Sequence, residues 1–332
     1  MNELIEVLAL LLLVPAFCIA ALFLGLLFRG IDRKLAAKMQ ARVGPPIRQP
    51  FIDLKKLLMK ENIVPETAVG WVFNSMPAIA LAASLLLIMY IPFGGMLPLL
   101  EGYGDLILVL YLLMIPALAL AIGGFSSGSP YANVGAQREM VLMMSYEFAL
   151  SIVIVSIAWL VSVSGIALNP FLLSTLAVVP VWSLVSGIGA IGLLLLLLAL
   201  MLVMPASLGR IPADIAEAKT EIADGILTEY SGRNLALFYL AQDVRTIAFS
   251  ALVVALFLPW NLSQLTALTG NFALLGNLAF FLVKIFIVMF FGSVFVHIAV
   301  ARFKVNQAAK AYWGPIMLIA LAGMALVMWG AG

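Results

Sequence analysis

Eight long apolar runs govern what this chain can become. They fall at about residues 4–28, 70–92, 105–124, 138–162, 180–204, 235–259, 272–300 and 312–330. Each is close to or beyond the roughly 20 residues that carry a helix across a bilayer. Backbone in lipid must satisfy its own hydrogen bonds, so runs of this length predict helices rather than loops or open strands. With 64% of its residues hydrophobic and 10% charged, a soluble fold of 332 residues would expose one continuous apolar surface. The sequence predicts an all-α membrane protein with about eight transmembrane helices, a single integral membrane domain over residues 1–332. The acidic start (Glu3, Glu6) and a first run reaching Phe28 read as a retained span, not a cleaved signal peptide.

Charge then orients the helices. Residues 29–69 hold nine Lys or Arg, residues 206–234 hold Arg210, Lys219 and Arg233, and residues 301–311 hold Arg302, Lys304 and Lys310. The loops near 93–104, 163–179 and 260–271 hold none. The positive-inside rule places the basic loops in the cytoplasm and both termini outside. A net charge of +2 gives no nucleic-acid footprint. A lone cysteine, Cys18, excludes an internal disulfide framework, and a lone histidine, His297, excludes His-based metal clusters and a Ser-His-Asp constellation. His297 itself reads as a hydrogen-bonded packing residue.

Two cytoplasmic loops are too patterned to be connectors. In 29–69, Phe51, Leu54, Leu57 and Leu58 fall on one side of a helix and Asp53, Lys56 and Lys60 on the other. That predicts an amphipathic helix lying in the headgroup plane, after the rigid turn Arg42-Val-Gly-Pro-Pro. The acidic loop 206–234 carries Asp214, Glu217, Glu221 and Asp224, which on a helix follow i, i+3, i+7, i+10 and share one arc. Pro212 suits its first turn and Gly225 its stop. Carboxylates facing one way repel each other, and a partly buried one holds its proton tightly. The loop is a candidate proton or cation site; the alternative is a solvated acidic connector.

Ions also lie within the apolar runs, where they are costly and normally face partners or water. The fourth span opens with Arg138-Glu139 and carries Ser145-Tyr146-Glu147 further in. Glu139 either functions or pairs with Arg138 at a helix end; Glu147, about two turns on, can line the same side. In the sixth span Asp243 and Arg245 cannot share a face and need separate partners. Lys284 of the seventh meets either a carboxylate or a neighbouring subunit. The letters Gly187-Ile-Gly-Ala-Ile-Gly match a dinucleotide fingerprint but lie inside the fifth span, with no acidic residue about twenty positions on. Close helix packing explains them better.

Together, Asp32-Arg33-Lys34, Arg42-Val-Gly-Pro45, Gln49-Pro50, Asp53-Leu-Lys-Lys56 and Lys60-Glu61 resemble the first cytoplasmic loop of the NuoH-type subunit of respiratory complex I. Ser145-Tyr146-Glu147, Pro212-Ala-Asp214 with Glu217 and Glu221, and Glu229-Tyr230-Ser231-Gly232 are similar to that family's later motifs, in the same order. Ser129-Pro130, Gln137-Arg138-Glu139 and the short loops look closest to its branch of membrane-bound hydrogenases, formate hydrogenlyases and sulfane-sulfur reductases. The resemblance implies a subunit of the prokaryotic plasma membrane that couples a peripheral arm to antiporter-like membrane subunits, so that redox energy drives H⁺ or Na⁺. The implied arm comprises hydrogenase-like large and small subunits and a ferredoxin-like iron–sulfur subunit. Iron–sulfur clusters and a NiFe centre would belong to those partners; this chain is expected to hold no cofactor, metal or catalytic residue. The implied coupling residues are Glu139, Glu147, Asp214, Glu217, Glu221, Asp224, Glu229, Asp243 and Lys284. Arg33, Lys34, Arg42 and Arg210 are expected to dock the arm.

The sequence departs from the quinone-reducing members. Where they read Ala-Glu-Thr-Asn-Arg, this chain reads Ala206-Ser-Leu-Gly-Arg210, so Ser207 replaces the acid. Lys219 stands at the middle acid of Glu-x-Glu-x-Glu, and Gln242 at a sixth-span acid, with Asp243 adjacent. These changes argue against quinone chemistry and for a hydrogenase, with a sulfane-sulfur reductase or a quinone-reducing complex as alternatives. A passive membrane anchor would leave the intramembrane ions without a purpose, and a secondary transporter predicts inverted repeats that the sequence does not show.

Overall fold

The computed structural model describes residues 2–165, 169–266 and 270–331, and within them the regular structure is helical apart from one isolated bridge between Phe93 and Met96. Among the described residues, eight helices are long and apolar enough to cross a membrane: Leu12–Met39, Gly70–Met89, Leu106–Ser126, Pro130–Val163, Ile188–Ser207, Gly232–Gln264, Gly270–Ala299 and Val305–Gly330. They are the first to eighth spans below. The sixth is the central post. From Asp243 to Phe257 every side chain is buried, and the first, second and seventh spans all pack on it. An intramembrane helix with no exposed face is what a bundle core requires.

Small residues set the closest approach. The fifth and eighth spans meet through Gly189, Gly192, Gly323 and Gly330; a Cβ on Gly192 would lie 2.7 Å from the Val327 nitrogen and 2.8 Å from the Gly323 oxygen. Two of the three fingerprint-like glycines, Gly189 and Gly192, are therefore part of a packing seam, while Gly187 lies just before the helix with nothing within 4 Å of where a Cβ would lie.

The expected amphipathic helix forms as Gln49–Met59, with Pro50 in its first turn and Phe51 against Phe23 of the first span (ring centroids 5.4 Å apart). Several boundaries move. The first helix runs on to Met39, so Asp32, Arg33 and Lys34 sit on it rather than in a loop beginning at 29. The good helix formers Leu35-Ala-Ala-Lys-Met39 carry it past the apolar run. The fourth span starts at Pro130, not 138, and so takes Gln137-Arg138-Glu139 into its body. The fifth starts at Ile188, because the chain breaks at Pro180 and at Gly187 (φ +39°) and forms only short turns between. The eighth starts at Val305 and passes through a π turn at Tyr312–Ile316, where Pro315 has no N–H to give.

The acidic loop is not one helix. It forms a 3₁₀ turn (Ile215–Glu217), a single α turn (Lys219–Ile222) and a second 3₁₀ turn (Gly225–Leu227), with Ala223 and Asp224 left-handed at φ +49° and +72°. The four carboxylates therefore do not share an arc. Folding the loop back buries Ile215, Ala216, Ile222 and Ile226, and that apolar gain outweighs a continuous helix. Gly225 makes the reversal possible, since any Cβ there would collide with the Ala216 carbonyl.

Candidate functional site

The folded-back loop lands on the fourth span at its smallest residues. Ala132, Gly135 and Ala136 are buried, and a Cβ on Gly135 would lie 2.7 Å from the Ile226 nitrogen. This close approach sets Glu217 over Glu139. The two carboxylates line a small, partly open cavity of about 40 Å³ with Asp214, Tyr239, Gln242 and Arg245. Glu139 is 4% exposed. Burial, then the Glu139, Asp214 and Asp224 carboxylates, push Glu217 up to about 8, with Lys219 opposing. Asp214 is also raised by burial, against Arg302, whose guanidinium pairs with it at 2.7 Å. Near neutral pH Glu217 thus holds a proton at the cavity mouth, one turn of loop away from Asp214.

Arg245 forms the cavity's cationic wall. It is 6% exposed, donates to the Ser207 hydroxyl (3.2 Å) and the Tyr146 hydroxyl (3.4 Å), and keeps its Nε without a partner. Its charge reaches Glu139, so the buried carboxylate faces a cation that is not fully engaged.

A second network lies beside it. Asp243 pairs with Arg29 of the first span at 3.2 Å, and Arg29 sits over the Tyr239 ring, 4.8 Å from its centroid. Arg210 ties three spans together, donating to Asp32 (2.7 Å), Ser293 (2.7 Å) and Thr246 (3.3 Å). Ser293 is presented by a π turn at Phe290–Phe295, where the seventh span departs from α geometry. Asp243 and Arg245 do have separate partners, as their spacing required.

The remaining candidates scatter. Arg138 pairs with Glu221 (2.6 Å) and not with its neighbour Glu139, which points the other way. Asp224 and Lys219 form an exposed pair at 3.4 Å. Glu229 is half-buried with no ion pair among the described residues, while Tyr230 beside it stacks on Phe73 at 4.1 Å and anchors the loop. Glu147 is half-buried and lies outside the Glu139 cavity, next to the outward-facing Met144 and Phe148, so the two acids of the fourth span serve different sides. Lys284 meets no carboxylate within the described chain. Its Nζ donates to the carbonyls of Leu258 (2.7 Å) and Trp260 (2.8 Å), under the ring of Phe280. The His297 imidazole makes no side-chain hydrogen bond among the described residues and instead lines a shallow groove with Asp32, Arg33 and Arg42. Of the expected docking cations, Arg33 is taken by Asp53 (2.9 Å) and Arg210 by Asp32, which leaves Lys34 and Arg42 without a carboxylate partner among the described residues.

Arg29, Asp32, Tyr239, Arg245 and Arg302 complete these networks and were not among the expected site residues. A signal existed for the cations: each buried carboxylate demands one nearby. The partner's position, up to 214 residues away for Arg29 and Asp243, is set by the fold alone. Among the described residues no three His, Cys, Asp or Glu side chains come together to hold a metal ion.

The family model described as NADH dehydrogenase matches residues 10–328. Hydrogenase-4 component C of Escherichia coli (strain K12) is 32% identical over 317 residues, covering 96% of this chain and 95% of that protein. The H subunit of the NADH-quinone oxidoreductase of Thermomicrobium roseum is 30% identical, covering 95% and 96%. A chain from the structure of the membrane-bound sulfane sulfur reductase, an archaeal respiratory membrane complex, superposes with a TM-score of 0.82 at 31% identity, covering 96% of this chain and 99% of that one. A multi-pass protein of the prokaryotic plasma membrane and a membrane subunit of the complex I-like and hydrogenase-like class, the chain belongs to the NADH dehydrogenase family.

Proposed function

We propose that this chain is the coupling subunit of a redox-driven H⁺ or Na⁺ pump, anchoring a hydrogenase-like peripheral arm and passing its redox energy to antiporter-like membrane subunits. The observation that carries the reading is the meeting of Glu217, from a loop outside the spans, with buried Glu139 inside one. A charge change in the arm alters the loop first. Glu217, poised near neutral pH, then alters the field at Glu139 and Arg245. On this reading the basic loops, the acidic loop and the amphipathic helix face the cytoplasm, both termini lie outside, and Lys34 and Arg42 remain free to dock the arm. Iron–sulfur clusters and a NiFe centre reside in the hydrogenase-like and ferredoxin-like partners.

Ser207 supports a hydrogenase over a quinone reductase. Where the quinone-reducing relatives carry an acid, Ser207 offers Arg245 only a hydroxyl, and Arg245 is left to Glu139. The likeness to the sulfane sulfur reductase chain favours a second reading, the same subunit delivering electrons to sulfane sulfur. The test uses the intact complex in sealed vesicles. Glu217→Gln should leave electron transfer by the arm intact and abolish the ion gradient, and no quinone reductase activity should be found. A normal gradient in that variant would sink coupling through the loop and favour a passive anchor. Hydrogen evolution against polysulfide reduction decides between the two acceptors.

A further inference from the structure

Between the first span, the amphipathic helix Gln49–Met59 and the sixth span lies a half-open cavity of about 350 Å³. That is within the range of roughly 300–1,000 Å³ typical of ligand sites. Its walls are apolar, formed by Leu26, Leu54, Leu57 and Leu240. Its floor is polar but closed: Arg29 and Asp243 are paired, with the Tyr239 ring under the guanidinium. A ligand head group entering deeply would meet a cation already paired with a carboxylate.

The rim differs. Arg33 and Gln49 both donate to Asp53, so that carboxylate is engaged. Lys56, which also lines the cavity, has no carboxylate partner among the described residues, and exposed Lys55 and Lys60 add to the positive field. The rim is therefore cationic and sits on a helix whose amphipathic pattern places it at headgroup depth. We infer that this cavity holds an anionic membrane lipid, its apolar tail along the leucine wall and its phosphate at Lys56. Such a lipid would wedge the amphipathic helix against the first and sixth spans, and it requires neither ion transport nor a redox partner.

The test reads lipid retention on the full chain. The delipidated protein is incubated with equal amounts of phosphatidylglycerol and phosphatidylcholine of matched tails, and bound lipid is counted by native mass spectrometry. One phosphatidylglycerol should be kept in preference by about fivefold or more, the effect of a single cation at the headgroup level. Lys56→Gln should erase most of that preference. Lys55→Gln, a change at an exposed lysine of the same helix that does not line the cavity, should leave it intact. Leu54→Trp fills the tail channel and should lose the retained lipid; should that variant fail to fold, the two lysine variants decide. Equal retention of both lipids, or equal effects of Lys55→Gln and Lys56→Gln, would overturn the site. So would displacement of the lipid by a short-chain quinone, mole for mole, which would make this a quinone cavity instead.

Discussion

The sixth span meets buried charge at two places, and they are built on opposite plans. At Asp243 and Arg245, side chains from distant segments converge, carboxylates outnumber fully engaged cations, and one guanidinium nitrogen is left without a partner. At the far end, Lys284 stands alone, and two backbone carbonyls at the end of the helix absorb its donors. The first arrangement leaves a buried donor without an acceptor. In the second the donors are taken up locally, because a lysine at a helix C-terminus satisfies both the carbonyls and the negative end of the dipole. A buried ion in a membrane helix is thus not by itself a step in an ion path; its partners decide.

The largest expected contrast is functional. Glu139→Gln keeps the shape and removes the charge change. It should drop ion transport by the intact complex in sealed vesicles to background while arm electron transfer continues. Lys284→Met should leave transport intact. A gradient lost in Lys284→Met, with the complex assembled, would erase the distinction between the two sites.

Stability should reverse part of that order. Arg29→Met strands Asp243, whose side chain is 2% exposed, and removal of one partner from a buried pair costs about 3–5 kcal/mol. Thermal unfolding of the detergent-solubilised protein should show it plainly. Lys284→Met leaves the Leu258 and Trp260 carbonyls unpaired, a loss of about 1–3 kcal/mol in the same assay. Equal losses would mean that the Arg29–Asp243 pair is wetter than its burial implies.

These two sites also show what the sequence could and could not disclose. Span number followed from apolar length, and the amphipathic helix from the alternation of Phe51, Leu54 and Leu57 with Asp53 and Lys56. Glu139 was legible because a carboxylate beside an apolar run is costly wherever it points. The loop was misread as a helix because i, i+3, i+7 spacing also arises when a chain reverses at left-handed Ala223 and Asp224. Nothing local marks that reversal except Gly225. The acceptors of Lys284 within this chain were not legible, because they are backbone carbonyls, which residue types cannot reveal.

The pH response separates the plans further. Glu217 releases its proton near 8 in the folded protein, against 4.5 as the ordinary value. The folded state therefore binds the extra proton between those values, and stability falls as pH rises through that window. As pH rises past about 8 the group becomes mainly charged, so proton-dependent coupling should weaken there. Glu217→Gln should flatten the stability slope, measured by unfolding at several pH values. Lys284→Met should not alter that slope.

The smallest effect is expected at Asp224. Its partner Lys219 lies 3.4 Å away with both side chains largely in solvent, at 48% and 72% exposure. Exposed pairs of this kind contribute about 0–1 kcal/mol, so Asp224→Asn should barely move the unfolding temperature. Its carboxylate nevertheless adds to the negative field that holds the proton on Glu217, after burial, Glu139 and Asp214. Asparagine removes that contribution, easing ionisation of Glu217 and moving the alkaline limb of coupling toward lower pH. The ion gradient near neutral pH should survive. Glu139→Gln offers the internal scale: it also removes negative charge near Glu217, from a group ahead of Asp224 in its effect there, and should flatten the unfolding slope more. Should Asp224→Asn abolish the gradient outright, the exposed edge of the loop would belong to the ion path, and the line drawn between engaged and solvated carboxylates would have to move outward.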